Sequence, residues 1–223
     1  MKELYHLSAQ NSIRIALESG DVPAVSIVIP NWNGVGHLPT CLESLRRQSF
    51  QDFEVIVADN GSTDGSLALL SRDYPEVQVL DLGENRGFAG ACNAGMQAAR
   101  GAFIALLNND TEVDPRWLAE VVAAFERHPE AGMVASKMLL FDRRDVFHTA
   151  GDFYRVDGLP GNRGVWQRDE GQYDEEEYVF GACGGSAAYR RAMLEQVGLL
   201  DEDFFFSCED VDLAWRAQLA GWR

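Results

Sequence analysis

Four short apolar runs, each followed by a stretch long enough for a helix, constrain this chain more than any other feature. The runs are Val25–Ile29, Phe53–Ala58, Val77–Leu82 and Phe103–Leu107. Between them lie a helical stretch around 37–48, one carrying Leu67, Leu69 and Leu70, and one over Ala91–Ala99. The first run is rich in β-branched residues and apolar throughout, as a strand buried on both faces requires. Strands alternating with helices at this spacing predict βαβ units, hence an α/β domain with a mostly parallel central sheet and helices on both faces. The next helix has both its signals: Asp114 as N-cap with Pro115 at the first helical position, and His128-Pro129 as the stop. Its apolar face is Trp117, Leu118, Val121, Val122 and Phe125.

The texture changes after residue 140, where Gly and aromatic residues become frequent. Asp169–Glu177 holds six acids in nine residues and reads as a solvated loop. Tyr178–Tyr189 is expected to be a strand. A last helix starts near Cys208, with Val211, Trp215, Leu219 and Trp222 expected on its buried face. Residues 1–22 read as a polar helical extension, leaving 23–223 as the main domain. Because that last helix runs to Arg223 without a cap, the domain is expected to be truncated at its C-terminus.

Charge excludes some functions. With 19 basic and 35 acidic residues the net charge is −16, which disfavours nucleic acid, whose recognition rests on Lys and Arg meeting phosphates. The four cysteines, Cys41, Cys92, Cys183 and Cys208, form no CxxC pair, so neither a zinc ribbon nor a thioredoxin-like motif is expected. They fit reduced thiols. The N-terminus lacks a signal-peptide core, and no apolar run approaches the ~20 residues that span a bilayer. The expected location is cytoplasmic, at most peripheral at the inner face of the membrane.

In an open parallel sheet, ligands bind outside the carboxyl ends of the strands. Three of the runs end there in polar clusters: Pro30-Asn31-Trp32-Asn33-Gly34, Asp59-Asn60-Gly61-Ser62-Thr63-Asp64 and Asn108-Asn109-Asp110. Each alone is ordinary turn chemistry. Together on one sheet edge they mark a site. The loop Gly83–Gly90 carries neither GxGxxG nor a P-loop lysine, which argues against dinucleotide oxidoreduction and P-loop hydrolysis. Its Arg86, on a loop that opens a helix, suits a diphosphate.

Five stretches in order, VSIVIPNWNG, VIVADNGSTDGS, NRGFAGACNAG, ALLNNDTEVDP and CEDVDLAWR, resemble the family 2 inverting glycosyltransferases with the GT-A fold, and within them the rhamnosyltransferase-like branch of cell-wall and surface-polysaccharide synthesis. The likeness runs over residues 25–223. It implies a nucleotide-diphospho-sugar donor, dTDP- or UDP-linked, and a glycan or lipid-linked acceptor. It also implies that Pro30, Asn31 and Asn33 line the nucleotide, that Asp59 binds the base, and that Asn85, Arg86 and Asn93 approach the ribose and phosphates, with Asn60 and Asn109 in the same set. Asp110 would hold Mg²⁺ or Mn²⁺ against the diphosphate, in keeping with the preference of these ions for oxygen ligands. The family's usual Asp-x-Asp is here Asn108-Asn109-Asp110, so one carboxylate remains and metal affinity should be weaker. Asp210 would be the general base on the acceptor hydroxyl, with Glu209 and then Asp212 next in line. Ser207-x-x-Asp210 also fits a capping box, in which the carboxylate only satisfies a backbone N–H. A catalytically weak sugar-nucleotide-binding or scaffold module is the rival reading. A nucleotidyltransferase finds no Gly-rich basic loop after the first run.

Overall fold

The computed structural model describes residues 22–223; the expected N-terminal extension, apart from Val22, lies outside them. Strands β1 (Val25–Asn31), β2 (Phe53–Asp59), β3 (Gln78–Asp81) and β4 (Phe103–Leu107) are parallel. Strands β5 (Met133–Ala135) and β10 (Ser186–Arg190) complete a six-stranded sheet of order β3-β2-β1-β4-β10-β5. β10 runs antiparallel to both neighbours. Two antiparallel hairpins fill the region after residue 140: β6 (Met138–Leu140) with β7 (Arg143–Thr149), and β8 (Asp152–Tyr154) with β9 (Pro160–Asn162).

Period-two alternation along each strand divides the core between the two faces. Val25, Ile27 and Ile29 of β1, with Phe103, Ala105 and Leu107 of β4, pack under α1 (Leu38–Arg46), α2 (Ser66–Asp73) and α4 (Trp117–Arg127). Val28, Ile104, Leu106, Ala187 and Tyr189 face the other way. There they meet α3 (Gly87–Ala98), α5 (Arg191–Val197) and α6 (Glu209–Leu219). This is the expected sheet covered on both faces.

Several boundaries and one buried face differ from the sequence reading. α3 starts at Gly87 rather than Ala91, because Gly87 takes a φ of +76° that lets the chain enter the helix directly from the loop. Of the expected Tyr178–Tyr189 strand only Ser186–Tyr189 pairs with the sheet, in a strand that runs on to Arg190, since the Gly-rich stretch before it is spent on the site. The buried face of α6 is Leu213, Ala214 and Ala217, while Leu219 is 80% exposed. Small alanines let α6 sit close to its support, and the larger Val211, Trp215 and Leu219 are left toward the surface or half-covered. The N-cap of α4 is Arg116 rather than Asp114, and Pro115 precedes the helix; the Asp114 Oδ1 accepts the Arg116 N–H at 2.9 Å in the turn just ahead of it. The acidic run is a surface loop held by basic partners, among them Lys137 to Asp169 and Asp174 at 2.6 and 2.7 Å.

Phe103 stacks on Phe125 with ring centroids 4.5 Å apart, joining β4 to α4, and both are almost fully buried. Phe103→Ala should therefore destabilise the fold by about 3–5 kcal/mol in urea unfolding, the range for an aromatic lost from a packed core.

Candidate active site at the carboxyl edge of the sheet

The strand order reverses between β1 and β4, which makes the carboxyl ends of these two strands the switch point of the sheet. Asn31, 1% exposed at the end of β1, spans that point. Its Oδ1 accepts from Asn109 Nδ2 at 2.7 Å on the β4 side. Its Nδ2 donates to Asp59 Oδ2 at 2.8 Å, the residue beside it in the parallel β1–β2 register. Asp59 is fully buried, and its other oxygen accepts the Ser62 N–H at 2.8 Å. A charge taken from water needs such partners. Gly34 lies against this cluster; a Cβ there would stand 2.1 Å from Asn109 Nδ2 and 2.3 Å from Asn31 Oδ1. Asn33 ties the β1 and β2 loops together, its Oδ1 accepting the Thr63 N–H at 2.8 Å. Pro30, between these groups, is half-buried in β1.

Asn60 and Asn85 build the next loop. Asn60 Nδ2 donates to Asn85 Oδ1 and to the Gly87 carbonyl, both at 3.0 Å. Its Oδ1 accepts the Arg86 N–H at 2.8 Å, and Asn85 Oδ1 accepts the Gly87 N–H at 2.9 Å. These amides shape the loop that presents Arg86, whose side chain is half exposed, 3.6 Å from Glu84 and donating to the Leu82 carbonyl at 3.5 Å. Asn93 has a different partner. It clamps Leu200, donating to its carbonyl at 2.8 Å and accepting its N–H at 3.1 Å, and it donates to Glu202 Oε1 at 2.9 Å. The N–H of Phe88 is taken by the Phe205 carbonyl at 2.7 Å. The first turn of α3 and Asn93 thus hold the segment that leads into α6.

At the end of β4 the Asn108 carbonyl accepts the N–H and the hydroxyl of Thr111 at 3.2 and 2.7 Å. That turn leaves the Asp110 carboxylate exposed, with no ion pair among the described residues. The Asn108 N–H donates to the Gly185 carbonyl at 3.0 Å. One residue earlier, the Gly184 N–H donates to Asp210 Oδ2 at 2.9 Å. Asp210 Oδ1 accepts from its neighbour Val211 at 2.8 Å. The residue capping α6 is Cys208, at φ +71°, so the capping box is not formed and the carboxylate of Asp210 is tethered across the fold instead. Of the three acids that open α6, Glu209 is buried with Oε2 unpartnered among the described residues, and Asp212 is paired with Arg216 at 2.8 Å. Asp110 and Asp210 line one open cleft of about 1530 Å³, larger than an ordinary small-ligand pocket.

One group in the cleft escaped sequence reasoning. Asp152 on β8 is 5% exposed and also lines the cleft. Burial pushes its carboxyl up to about 7, the charge of Asp210 adds to the rise, and a hydrogen bond from Asn162 opposes it. A single Asp after a Gly carries no motif, and only the hairpin brings it to the site.

Residues 26–198 match the family described as glycosyl transferase family 2. The chain belongs to glycosyl transferase family 2. It is 30% identical over 218 residues to the N-acetylglucosaminyl-diphospho-decaprenol L-rhamnosyltransferase of Mycobacterium tuberculosis, an alignment covering 88% of this chain and 71% of that one. It is 32% identical over 215 residues to the O-antigen biosynthesis protein RfbC of Myxococcus xanthus, covering 90% of this chain and 16% of that protein. Among solved structures, it resembles S. aureus TarS with a TM-score of 0.65 at 22% identity, over 87% of this chain and 55% of that chain. It also resembles a Pyrobaculum calidifontis mannosyltransferase in complex with GDP-Man and Mn²⁺, with a TM-score of 0.66 at 21% identity, over 97% and 60% of the two chains. The fold is thus GT-A, in a family 2 glycosyltransferase with rhamnosyltransferase-like relatives. No described helix is long and apolar enough to cross a membrane.

Two outcomes test the site's architecture. Asn31→Ala removes a partner from buried Asp59 and should cost about 3 kcal/mol in unfolding, whereas Asn33→Ala, at an exposed position, should cost about 1 kcal/mol or less. The second concerns pH. Folded Asp152 keeps a proton up to about pH 7 that the unfolded chain releases near ~4. Its contribution to stability is therefore present below the lower value and lost as pH rises through the upper one. Melting temperatures of Asp152→Asn should gain on those of the parent between about pH 5 and about pH 8.

Proposed function

We propose that this chain transfers a rhamnose-like sugar, with inversion, from a dTDP- or UDP-linked donor to a hydroxyl of a glycan or lipid-linked acceptor in cell-wall or surface-polysaccharide synthesis. The observation that carries this reading is the placement of Asp110 and Asp210 on one cleft, joined through Asn108, Gly185 and Gly184. Support for the donor class comes from the solved neighbours, one in complex with UDP and another with GDP-Man. Support for the sugar comes from the rhamnosyltransferase relative.

In this reading Asn31, Asn33 and Asp59 form the floor and rim beneath the nucleotide, with Pro30, Asn60 and Asn109 fixing their positions. Arg86, presented by Asn60 and Asn85, meets the diphosphate. Asn93 acts at one remove, by holding the segment that delivers Asp210. Asp110 fits a divalent cation: it is an exposed carboxylate on a fixed turn, and Mg²⁺ or Mn²⁺ is commonly held by one or two carboxylates plus substrate phosphates. Such an ion neutralises charge growing on the leaving nucleoside diphosphate. Asp210 takes the proton of the attacking hydroxyl as that oxygen displaces the diphosphate from the anomeric carbon. The Gly184 N–H aims the carboxylate into the cleft.

Calorimetry with dTDP-rhamnose, UDP-N-acetylglucosamine and GDP-mannose, with and without Mn²⁺, tests the donor half. Mn²⁺ should tighten binding of the correct donor, and Asp110→Ala should abolish that gain; a metal dependence unchanged in the variant removes Asp110 from the role. Asp210→Asn keeps the shape and both N–H contacts but has no basic oxygen. It should retain donor binding and lose about 10²–10⁴-fold in transfer rate. Transfer near the parental rate would move the base elsewhere.

A further inference from the structure

We propose that Asp152 is an acceptor-binding residue that holds a hydroxyl of the acceptor sugar beside the one Asp210 deprotonates. This deepens the glycosyl-transfer reading and rests on it. The placement is built from three directions. Across the β8–β9 hairpin Asp152 is in register with Asn162, whose Nδ2 donates to Asp152 Oδ1 at 2.9 Å. Its backbone is fixed on the segment that leads to the Gly184 tether: the Asp152 N–H donates to the Gly181 carbonyl at 2.9 Å and the Phe180 N–H to the Asp152 carbonyl at 3.0 Å. Gly181 in turn lies so close to α6 that a Cβ on it would stand 2.8 Å from the Cβ of Ala214, one helical turn beyond Asp210. Tyr154, on the same face of β8, locks this stack by packing on Phe180 and Trp215 at ring-centroid distances of 5.2 and 5.0 Å.

The hairpin, the Gly181 segment and α6 thus form one rigid wall with two carboxyls on it. They differ in their partners. Asp210 has two backbone N–H donors at a helix start, whereas Asp152 has one neutral amide and greater burial. Burial first, and then the charge of Asp210, favours the protonated form of Asp152. The titratable groups around Asp152 are Asp210 on α6, Cys183 ahead of β10 and Tyr189 on β10. None of these brings a positive charge. The wall then presents the Asp210 carboxyl group, set by two backbone N–H groups, beside an Asp152 carboxyl whose proton is held up to about pH 7 and which, when protonated, both donates and accepts a hydrogen bond. Oδ2 of Asp152 has no partner among the described residues. Two adjacent hydroxyls of a pyranose match this pair of groups, one for each carboxyl. A purely packing role would be served by an apolar or amide side chain, without placing a second acid beside the first.

The experiment uses the whole chain with Mn²⁺ and the three donors named above, and compares two kinds of acceptor for the donor sugar. Water reports hydrolysis. Octyl glucoside, octyl N-acetylglucosaminide and octyl rhamnoside report transfer. Asp152→Ala should lower the ratio of transfer to hydrolysis by about tenfold or more and raise the KM for the octyl glycoside, as loss of one hydrogen bond to a sugar hydroxyl implies. Asp152→Asn, whose amide still donates, should recover most of that ratio. Asp152→Ser, with a side chain too short to reach, should behave like Asp152→Ala and replaces it if Asp152→Ala does not fold. An unchanged ratio in Asp152→Ala or Asp152→Ser, with transfer and hydrolysis falling together, overturns the proposal in favour of a structural role. Donor hydrolysis by the parent with no transfer to any glycoside overturns the acceptor assignment and leaves the donor reading intact. Failure of the parent to bind or turn over any donor overturns the reading beneath both.

Discussion

A single buried amide, that of Asn31, holds the carboxyl edge of this sheet together. Parallel strands end with unpaired polar groups, and where the strand order reverses the two ends splay apart to leave a crevice. Asn31 closes that crevice from below by accepting from Asn109 at the end of β4 and donating to Asp59 at the end of β2. An amide is the side chain suited to this place, because it offers an acceptor to one neighbour and a donor to the other. A carboxylate could not donate to Asp59, and an apolar residue would leave that buried charge short of a partner. The close approach of Gly34 follows from the same bond, since any side chain there would enter the space the two amides share.

From this edge the geometry propagates along hydrogen bonds rather than through one large core. The turn after β4 is tied to Gly185, and Gly184 to Asp210. On the opposite side Asn93 and the start of α3 grip the segment before α6. That segment is locally unfavourable: Phe205, Ser207 and Cys208 all have positive φ, a region costly for side-chain-bearing residues. It persists because both ends are held. The expected site residues therefore divide into groups that line the cleft, such as Asp110 and Asp210, and groups such as Asn60, Asn85 and Asn93 whose polar atoms are engaged in holding loops.

The four parallel strands and their order of appearance were legible in the sequence because an apolar run in a βαβ pattern leaves little else to form, whereas the short strands β5 to β9 were not. The polar ends of β1, β2 and β4 were legible for the same reason, as everything polar in those segments lies at one edge. Position along the chain could not distinguish a residue that touches a ligand from one that holds a loop. Asn93 looks the same in sequence whether its amide faces a ribose or the backbone of Leu200. The face of α6 was misread because periodicity ranks residues by hydrophobicity, while packing against Gly181 demanded a small side chain at Ala214, and Leu213 and Ala217 rather than Trp215 and Leu219 face the core. Asp152 was invisible because its position depends on a hairpin whose strands have three residues each.

Electrostatics gives Asn108 its sense. The cleft already carries Asp110, Asp152 and Asp210 in a chain of net charge −16, and its expected donor is a polyanion. Each further carboxylate there would raise the repulsion that a cation must offset. Asn108 packs its side chain near Gly185, where a Cβ would stand 3.4 Å from its Nδ2, and its carbonyl shapes the turn that presents Asp110. The neutral side chain therefore keeps the backbone geometry of the triplet without a further carboxylate beside the tether of Asp210. A lone carboxylate binds a divalent ion weakly by itself, so the ion's hold comes to depend on the phosphates the donor brings. In the proposed reading metal and donor would then enter the site as one unit, with Asp210, the proposed base, on the far side of Gly184.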